Sequence, residues 1–193
     1  DIALGGERRI LVISGPNAGG KSVTLKTVGL IQYMLQCGML PTVYSNSHFS
    51  VFRDILLDIG DEQSIENDLS TYSSHLRNMK RFLASSSRSS LVLIDEMGSG
   101  TEPHFGGALA QSILERLNEM KVMGIVTTHY QNLKSFADTT PGVVNGAMLY
   151  DRQHMRPLFQ LSVGSPGSSF ALEIARNTGL PSDVIEKAKE IVG

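Results

Sequence analysis

The chain has 193 residues, a formal net charge of −2 and a single cysteine. Hydrophobic residues make up 41% of the sequence and charged residues 19%, which is typical of a globular protein and excludes a disordered or membrane-embedded chain. The slightly acidic balance also argues against a self-contained nucleic-acid-binding surface, which needs clustered Lys and Arg. We expect one domain, spanning 1–193 and cut from a longer chain, in a reducing compartment such as the cytoplasm. Cys37 is expected to be a small buried hydrophobe.

The first predicted elements are a buried strand over 8–14 and a helix over 19–36, joined by the loop "GPNAGGKS". This loop fits the phosphate-binding pattern G-x-x-x-x-G-K-[ST], in which backbone N–H groups and a helix N-terminus surround phosphate oxygens. Lys21 would bridge the terminal phosphates, and the hydroxyl of Ser22 would hold Mg²⁺. A chance glycine-rich turn is the alternative. The predicted nucleotide contacts are Gly15, Pro16, Asn17, Ala18, Gly19, Gly20, Lys21, Ser22 and Val23.

The next part of the chain, 42–60, has a pattern of short β segments. Asn67, Asp68 and Ser70 then supply candidate N-caps for a helix over 72–83. The apolar face of that helix is predicted from the spacing of Leu76, Met79 and Leu83.

Two adjacent carboxylates end the apolar run "LVLIDE" at 91–96. The run predicts a buried strand, and the carboxyl end of such a strand is where open α/β sheets bind ligands. Asp95 would orient a metal ion or its water, and Glu96 would polarise an attacking water. Two acids on a solvated strand end are the plain alternative.

A helix is predicted over 102–120, followed by a buried strand over 122–129 and a short helix over 131–137. The strand ends in "TTH", so His129 lies where it could hydrogen-bond a terminal phosphate and report its presence. Most histidines outside such a context are ordinary surface or core residues. The other four histidines have no metal-ligand spacing, so no zinc site is expected.

The last third of the chain predicts an antiparallel hairpin from "VVNGAMLY" and "PLFQLSV", then helices over 170–178 and 182–192. Strands that alternate with helices imply a mostly parallel sheet with helices on both faces. The predicted fold class is therefore α/β, with an antiparallel edge on that sheet.

The ordered set "GPNAGGKS", "DLSTYSSHL", "LVLIDEMGSGT" and "TTHY" resembles the ATPase domain of the MutS family, within the ABC-type P-loop ATPases. The resemblance implies that Asp95 and Glu96 are the metal-orienting and catalytic acids and that His129 is the switch histidine. It also implies that the loop 98–101 crosses to a partner subunit, where Ser70 of each chain reaches the nucleotide of the other.

Some positions depart from this pattern or match it loosely. Tyr72 stands where the family often has Phe, and the transporter signature L-S-G-G-Q is absent, which favours a MutS-like protein over a transporter motor. Gln63 lies where ABC-type ATPases place a magnesium-sensing glutamine, although a solvated loop is an equal alternative. Ser70 alone could be a plain helix cap.

The C-terminal stretch "PLFQLSVGSPGSSFALEIARNTGLP" is most similar to the second bacterial MutS subfamily, with its helix-turn at 174–181. Members of that subfamily resemble sensors of branched DNA that restrain recombination, and some are linked to stalled ribosomes. The implied partners are a second copy of the chain, mismatched or branched DNA held by regions outside 1–193, and the ribosome in some members.

These observations lead to a leading hypothesis: a magnesium-dependent ATPase that converts ATP and water to ADP and phosphate. ATP and Mg²⁺ are the expected cofactors, Ser22 and Asp95 the metal ligands, and Lys21, Glu96 and His129 the catalytic residues. A nucleotide-dependent interaction module with negligible turnover is the alternative. A small-molecule kinase would need an acceptor-binding or lid segment, and none is recognisable in the sequence.

Overall fold

The computed structural model describes residues 1–16, 19–59, 68–151, 154, 156–167, 175–176 and 178–192. Within them a six-stranded sheet has the strand order β2-β3-β4-β1-β5-β6. Its first five strands are parallel, and the edge strand β6 is antiparallel to β5. The strands are β1 (Arg8–Ser14), β2 (Asp54–Asp58), β3 (Ser90–Ile94), β4 (Met123–Thr127), β5 (Gly142–Asp151) and β6 (Arg156–Val163).

Helices cover both faces of the sheet. The described helices are α1 (Lys21–Gln36), α2 (Asp68–Ser85), α3 (Pro103–Glu119), α4 (Gln131–Thr139) and α5 (Ser182–Val192). Leu25 of α1 packs in the core on one face, whereas Phe82 of α2, Leu114 of α3 and Leu133 of α4 belong to the core on the other. The strands β1, β3 and β4 run between the two cores, which explains why their sequences are continuously apolar.

Helix starts in this fold follow from local chemistry. Gly20 precedes α1 with a φ of 92°, a left-handed conformation that favours glycine. Glu102 caps α3 by accepting from the backbone N–H groups of His104 and Phe105 at 3.0 and 3.1 Å, and Pro103 occupies the first helical position. These two backbone donors hold the pKa of Glu102 below its ordinary value.

The sequence-based predictions of the strands and of most helices are confirmed in type and in approximate limits. The prediction of short β segments over 42–60 is confirmed only at 54–58. Residues 42–53 form no strand, and Tyr44 and Val51 are exposed. Cys37 is exposed rather than buried, because it follows directly after the end of α1 at the surface.

Other differences concern α2 and the C-terminal region. Ser70 lies inside α2 rather than before it, so the helix-cap interpretation of Ser70 is wrong. The face of α2 is centred on Met79 and Phe82, both buried, and the helix is longer than predicted. Most of the helix predicted over 170–178 lies outside the described residues.

Among the described residues, no helix is both long and apolar enough to cross a bilayer.

Candidate functional site

The loops that follow β1, β3 and β4 meet at the carboxyl edge of the parallel sheet. Ile13 pairs with Thr127, and Ile94 pairs with Val126, so the residues after these strands emerge side by side. Thr128 donates its backbone N–H to the carbonyl of Ile13 at 3.1 Å, which ties the end of β4 to the end of β1. This edge therefore carries the described residues of the predicted phosphate loop (15, 16 and 19–22), the two acids and His129 together.

The ammonium of Lys21 is buried and held by the loop that precedes it. Its Nζ donates to the carbonyl oxygens of Gly15 at 2.9 Å and Pro16 at 3.1 Å. Burial lowers the pKa of Lys21, while the nearby carboxylates of Glu96 and Asp95 act in the opposite direction. The side chain is therefore within electrostatic reach of both acids, as the sequence interpretation requires.

The helix start next to Lys21 suits an anion. Gly20 provides no side-chain cap to α1, and the first turn of α1 contains no acidic residue, so nothing there repels negative charge. Ser22 lies in that first turn and is partly buried, and Val23 is mostly exposed. Asn17 and Ala18 lie outside the described residues.

Thr127 holds the two acids that follow β3. Its hydroxyl donates to Oδ1 of buried Asp95 at 2.5 Å and accepts the backbone N–H of Glu96 at 2.8 Å. Glu96 has a φ of 48°, a left-handed conformation that is uncommon for a residue with a Cβ and is found where surrounding contacts enforce it. The sequence indicated the acids but not this dependence on Thr127.

His129 faces Glu96 across the same edge, with its Nε2 3.8 Å from Oε1 of Glu96. Burial lowers the pKa of His129, and the positive charge of Lys21 lowers it further, whereas Glu96 raises it. Because the net direction is below the ordinary value of about 6.5, the imidazole is neutral near pH 7 and its approach to Glu96 is not an ion pair at that pH. A neutral imidazole can still donate or accept a hydrogen bond.

The loop 98–101 packs tightly between α3 and α2. A Cβ added to Gly106 of α3 would lie 2.6 Å from the carbonyl oxygen of Gly98, so only glycine allows this approach. Tyr130 donates its hydroxyl to that same carbonyl at 2.9 Å. On the other side, Gly100 lies beside Tyr72 of α2.

The helix α2 is fastened to the site through the end of β2. The backbone carbonyl of Asp58 accepts a hydrogen bond from the backbone N–H of Asp95 at 2.8 Å. The carboxylate of Asp58 contacts Nδ1 of His75 at 2.7 Å and accepts from the amide of Asn78 at 2.8 Å, both on α2. The backbone of Ser70 lies in the first turn of this helix, but its side chain is outside the described part of the chain, as is the whole of Gln63.

Phe159 of β6 is a neighbour of the phosphate loop that the sequence interpretation missed. A Cβ on Gly20 would lie 3.3 Å from Cδ1 of its ring, although Phe159 as a residue is 69% exposed. Its φ of 52° is again left-handed, so the exposed aromatic is held beside the loop by an unusual backbone conformation. Only its identity as an aromatic residue could have signalled this in the sequence.

The residues at this edge fit a nucleotide with a hard cation. Within the described residues there is no group of three or more His, Cys, Asp or Glu side chains arranged to bind a metal. Mg²⁺ is usually held by one or two carboxylates together with substrate phosphates rather than by a complete protein cage. Asp95 and the hydroxyl of Ser22 are the kind of oxygen donors that such a cation uses.

Comparison with known proteins identifies the family. The family model described as MutS domain V matches residues 11–193. Proteins named "Endonuclease MutS2" are similar over the whole chain: that of Thermomicrobium roseum is 53% identical over 193 residues and that of Halothermothrix orenii 48% over 192 residues, each match covering 100% of this chain and 24% of the relative. The protein of the same name from Lactiplantibacillus plantarum is 44% identical over 191 residues, with 99% of this chain and 24% of the relative covered. The chain thus spans about a quarter of the length of these relatives, and it belongs to the MutS domain V family.

Proposed function

We propose that this chain is an ATP-binding and ATP-hydrolysing domain with a P-loop fold, dependent on Mg²⁺. The observation that carries the proposal is the meeting of Lys21 with Asp95 and Glu96 at one edge of the sheet, close enough for the two carboxylates to affect the pKa of the lysine. A lysine after a glycine-rich turn, followed by a helix start, suits phosphate groups. Paired acids opposite that lysine suit a cation and an attacking water.

Phosphate binding is assigned to the loop and the first turn of α1. Backbone N–H groups from Gly15 onward would surround the phosphates, and Lys21 would exchange its two carbonyl partners for phosphate oxygens. Residues 17 and 18 belong to this loop by their position in the motif. Ser22 and Asp95 would hold Mg²⁺, which would neutralise part of the phosphate charge.

Water activation is assigned to Glu96, with His129 beside it. Glu96 is exposed enough to meet water, and its backbone is fixed by the hydrogen bond to Thr127. His129, neutral near pH 7, is suited to hydrogen-bond a terminal phosphate without repelling Lys21. Catalysis in such a site comes mainly from positioning and charge stabilisation.

Base binding is assigned to Phe159. Its exposed ring beside Gly20 offers an apolar face close to the phosphate loop, where an adenine can stack. Phe159 lies outside the sequence motifs.

The proposed assembly is a homodimer in which Ser70 and the loop 98–101 of one chain complete the nucleotide site of the other. The anchoring of α2 by Asp58 supports it, because it fixes the helix that carries Ser70 relative to Asp95. The relatives are named as endonucleases, so we place this domain in a DNA-binding protein of repair or recombination control, with DNA contacted outside 1–193. The ribosome is a further proposed partner, and the cytoplasm the proposed location.

Phosphate release by the Glu96→Gln variant tests the proposal. We expect turnover to fall by at least about a hundredfold while binding of a fluorescent ATP analogue persists, since general-base catalysis contributes roughly a hundredfold or more. Glu119→Gln is the matched control, because Glu119 is an exposed acid at the far end of α3 in a pair with Arg116. Equal turnover in wild type and Glu96→Gln would contradict the assignment, and binding without turnover in wild type would favour an interaction module.

A further inference from the structure

A second lysine is buried near this site and has no carboxylate partner among the described residues. Lys134 of α4 is 7% exposed, and its ammonium donates to the carbonyl oxygen of Gly167 at 3.1 Å. Burial lowers the pKa of Lys134, and within the described part of the chain no acid offsets that effect. Burial of an ammonium that has a single carbonyl partner in the described part of the chain is costly to the folded state.

The charge of Lys134 affects the pKa values of two residues at the candidate site. It lowers the pKa of Lys21 and contributes to lowering that of His129, although burial is the largest cause for both groups. Lys134 therefore lies within electrostatic range of the phosphate-loop lysine and of the histidine opposite Glu96. An additional positive charge near Lys21 destabilises the ligand-free protein by repulsion, and it favours the binding of an anion.

The position of Lys134 is fixed by buried hydrogen bonds next to the start of the phosphate loop. Gly167 donates its backbone N–H to the hydroxyl of Ser14 at 2.7 Å, and Ser14 is the last residue before Gly15. Asn145 of β5 donates to the backbone carbonyl of Lys134 at 2.8 Å. The ammonium is thus held beside the loop by β1, β5 and the segment after β6, rather than being free to turn to solvent.

We propose that Lys134 is a second phosphate-site lysine, whose fixed positive charge strengthens binding of the nucleotide's phosphates. This inference rests on the proposed nucleotide-binding function and adds to it a residue outside the four sequence motifs. A purely structural Lys134 would act only by holding Gly167 through its hydrogen bond. The two roles differ in what they require, because the first needs the charge and the second needs only a donor.

Three substitutions separate these roles. Lys134→Gln keeps an N–H donor for Gly167 and removes the charge, Lys134→Met removes both, and Lys134→Arg keeps both. Lys121→Met is the control for the change in net charge, because Lys121 is exposed and precedes β4 at the opposite edge of the sheet. Dissociation constants for Mg²⁺-ATPγS are measured by titration calorimetry at low and high salt, and thermal unfolding is measured without nucleotide.

We expect Lys134→Gln and Lys134→Met to bind the nucleotide at least about tenfold more weakly, a change that corresponds to 1.4 kcal/mol. Lys134→Arg and Lys121→Met should stay within about threefold of wild type. Without nucleotide, Lys134→Met should unfold at the same temperature as wild type or higher, since it removes a buried charge that no described acid offsets. The wild-type affinity should also fall more steeply with salt than that of Lys134→Gln.

Three results would overturn this inference. Wild-type affinity in Lys134→Gln would show that the charge is not used, and it would leave the proposed function intact. A loss of affinity in Lys134→Met that Lys134→Gln restores would assign Lys134 a structural role only. Absence of binding by wild type itself would instead remove the proposed function, and this inference with it. If Lys134→Met does not fold, the comparison of Lys134→Gln with Lys134→Arg still decides between the two roles.

Discussion

The hydroxyl of Thr127 lies 2.5 Å from Oδ1 of Asp95 and donates a hydrogen bond to it. The hydroxyl oxygen of Thr127 also accepts a hydrogen bond from the backbone N–H of Glu96 at 2.8 Å. One buried hydroxyl at the end of β4 therefore sets the positions of both acids that follow β3. The pairing of β3 with β4 is what brings this hydroxyl and the acids together.

Replacement of Thr127 by Val is expected to disturb both acids. The buried carboxylate of Asp95 loses its donor, and the N–H of Glu96 loses its acceptor, so we expect a stability loss of about 1–3 kcal/mol. ATP turnover should fall at least about tenfold, because Glu96 is no longer held in its left-handed conformation. Urea unfolding and phosphate release measure the two effects. Thr127→Ser keeps the hydroxyl and should retain most of the stability and most of the ATP turnover. A Thr127→Val variant with wild-type stability and turnover would contradict the role of Thr127.

Two neighbouring glycines of α3 should respond differently to Ala. In Gly106→Ala the new Cβ would meet the backbone carbonyl of Gly98 at 2.6 Å, so the loop 98–101 must shift, at a cost of about 1–3 kcal/mol. In Gly107→Ala the nearest atom is Oδ1 of the Asn132 side chain at 3.0 Å, and the gain in helix propensity of about 1 kcal/mol offsets the crowding. Chemical denaturation of the two variants compares them directly. Equal stability of the pair would show that the close approach of α3 to this loop is unimportant.

The pKa of His129 should rise when Lys21 is replaced by Met. Burial and the charge of Lys21 both lower this pKa in the wild-type protein, and Glu96 opposes them. Removing the positive charge of Lys21 removes one of the causes that lower the pKa of His129. The neutral imidazole is then favoured less, and His129 titrates at a higher pH. NMR titration of the imidazole, assigned by its loss in His129→Gln, measures the shift. An unchanged or lower pKa in Lys21→Met would contradict the proximity of these two groups.

The same pKa shift predicts a pH dependence of stability. Because the pKa of His129 is lower in the folded than in the unfolded protein, the unfolded state binds more protons as the pH falls below about 6.5. The free energy of unfolding should therefore decrease with acidification in that range, and it should decrease less in His129→Gln. Urea unfolding at pH 7.5 and 5.5 tests this, and equal slopes in the two proteins would count against it.

Phe159→Ala should weaken nucleotide binding without affecting phosphate binding. Loss of an aromatic stacking surface costs about 1–3 kcal/mol per base, so ATP affinity should fall by roughly tenfold or more. Affinity for inorganic tripolyphosphate, measured by competition, should not change. Leu158→Ala is the control, since Leu158 is an exposed apolar neighbour on the same strand. Equal ATP affinity in Phe159→Ala and wild type would remove the ring from the base site.

Much of the fold follows from sequence patterns that depend on local chemistry. The buried strands are continuous apolar runs, and the loop before Lys21 and the acids at 95–96 are placed by the ends of those runs. Segment 42–53 misled the prediction because its apolar residues resemble a strand, whereas residues such as Val51 are exposed and pair with no strand in the described chain. Periodicity alone does not show whether a partner strand exists.

The residues missed at the site depend on contacts between distant parts of the chain. Thr127 acts on Asp95 only through the register of β3 and β4, and Phe159 reaches Gly20 only because β6 returns along β5. Lys134 lies one turn into α4 and looks like an ordinary surface lysine in the sequence. Its ammonium is covered by Gly167, which contacts Ser14 at the end of β1.

We propose above all that Gly15 to Ser22 bind a magnesium nucleotide opposite Asp95 and Glu96. Titration calorimetry of the 193-residue chain with ATPγS, with Mg²⁺ and with EDTA, tests it most directly. We predict saturable binding to wild type that is strengthened by Mg²⁺, and a loss of at least about tenfold in affinity in Lys21→Ala. Absence of binding to wild type, or equal affinity in Lys21→Ala, would contradict the account.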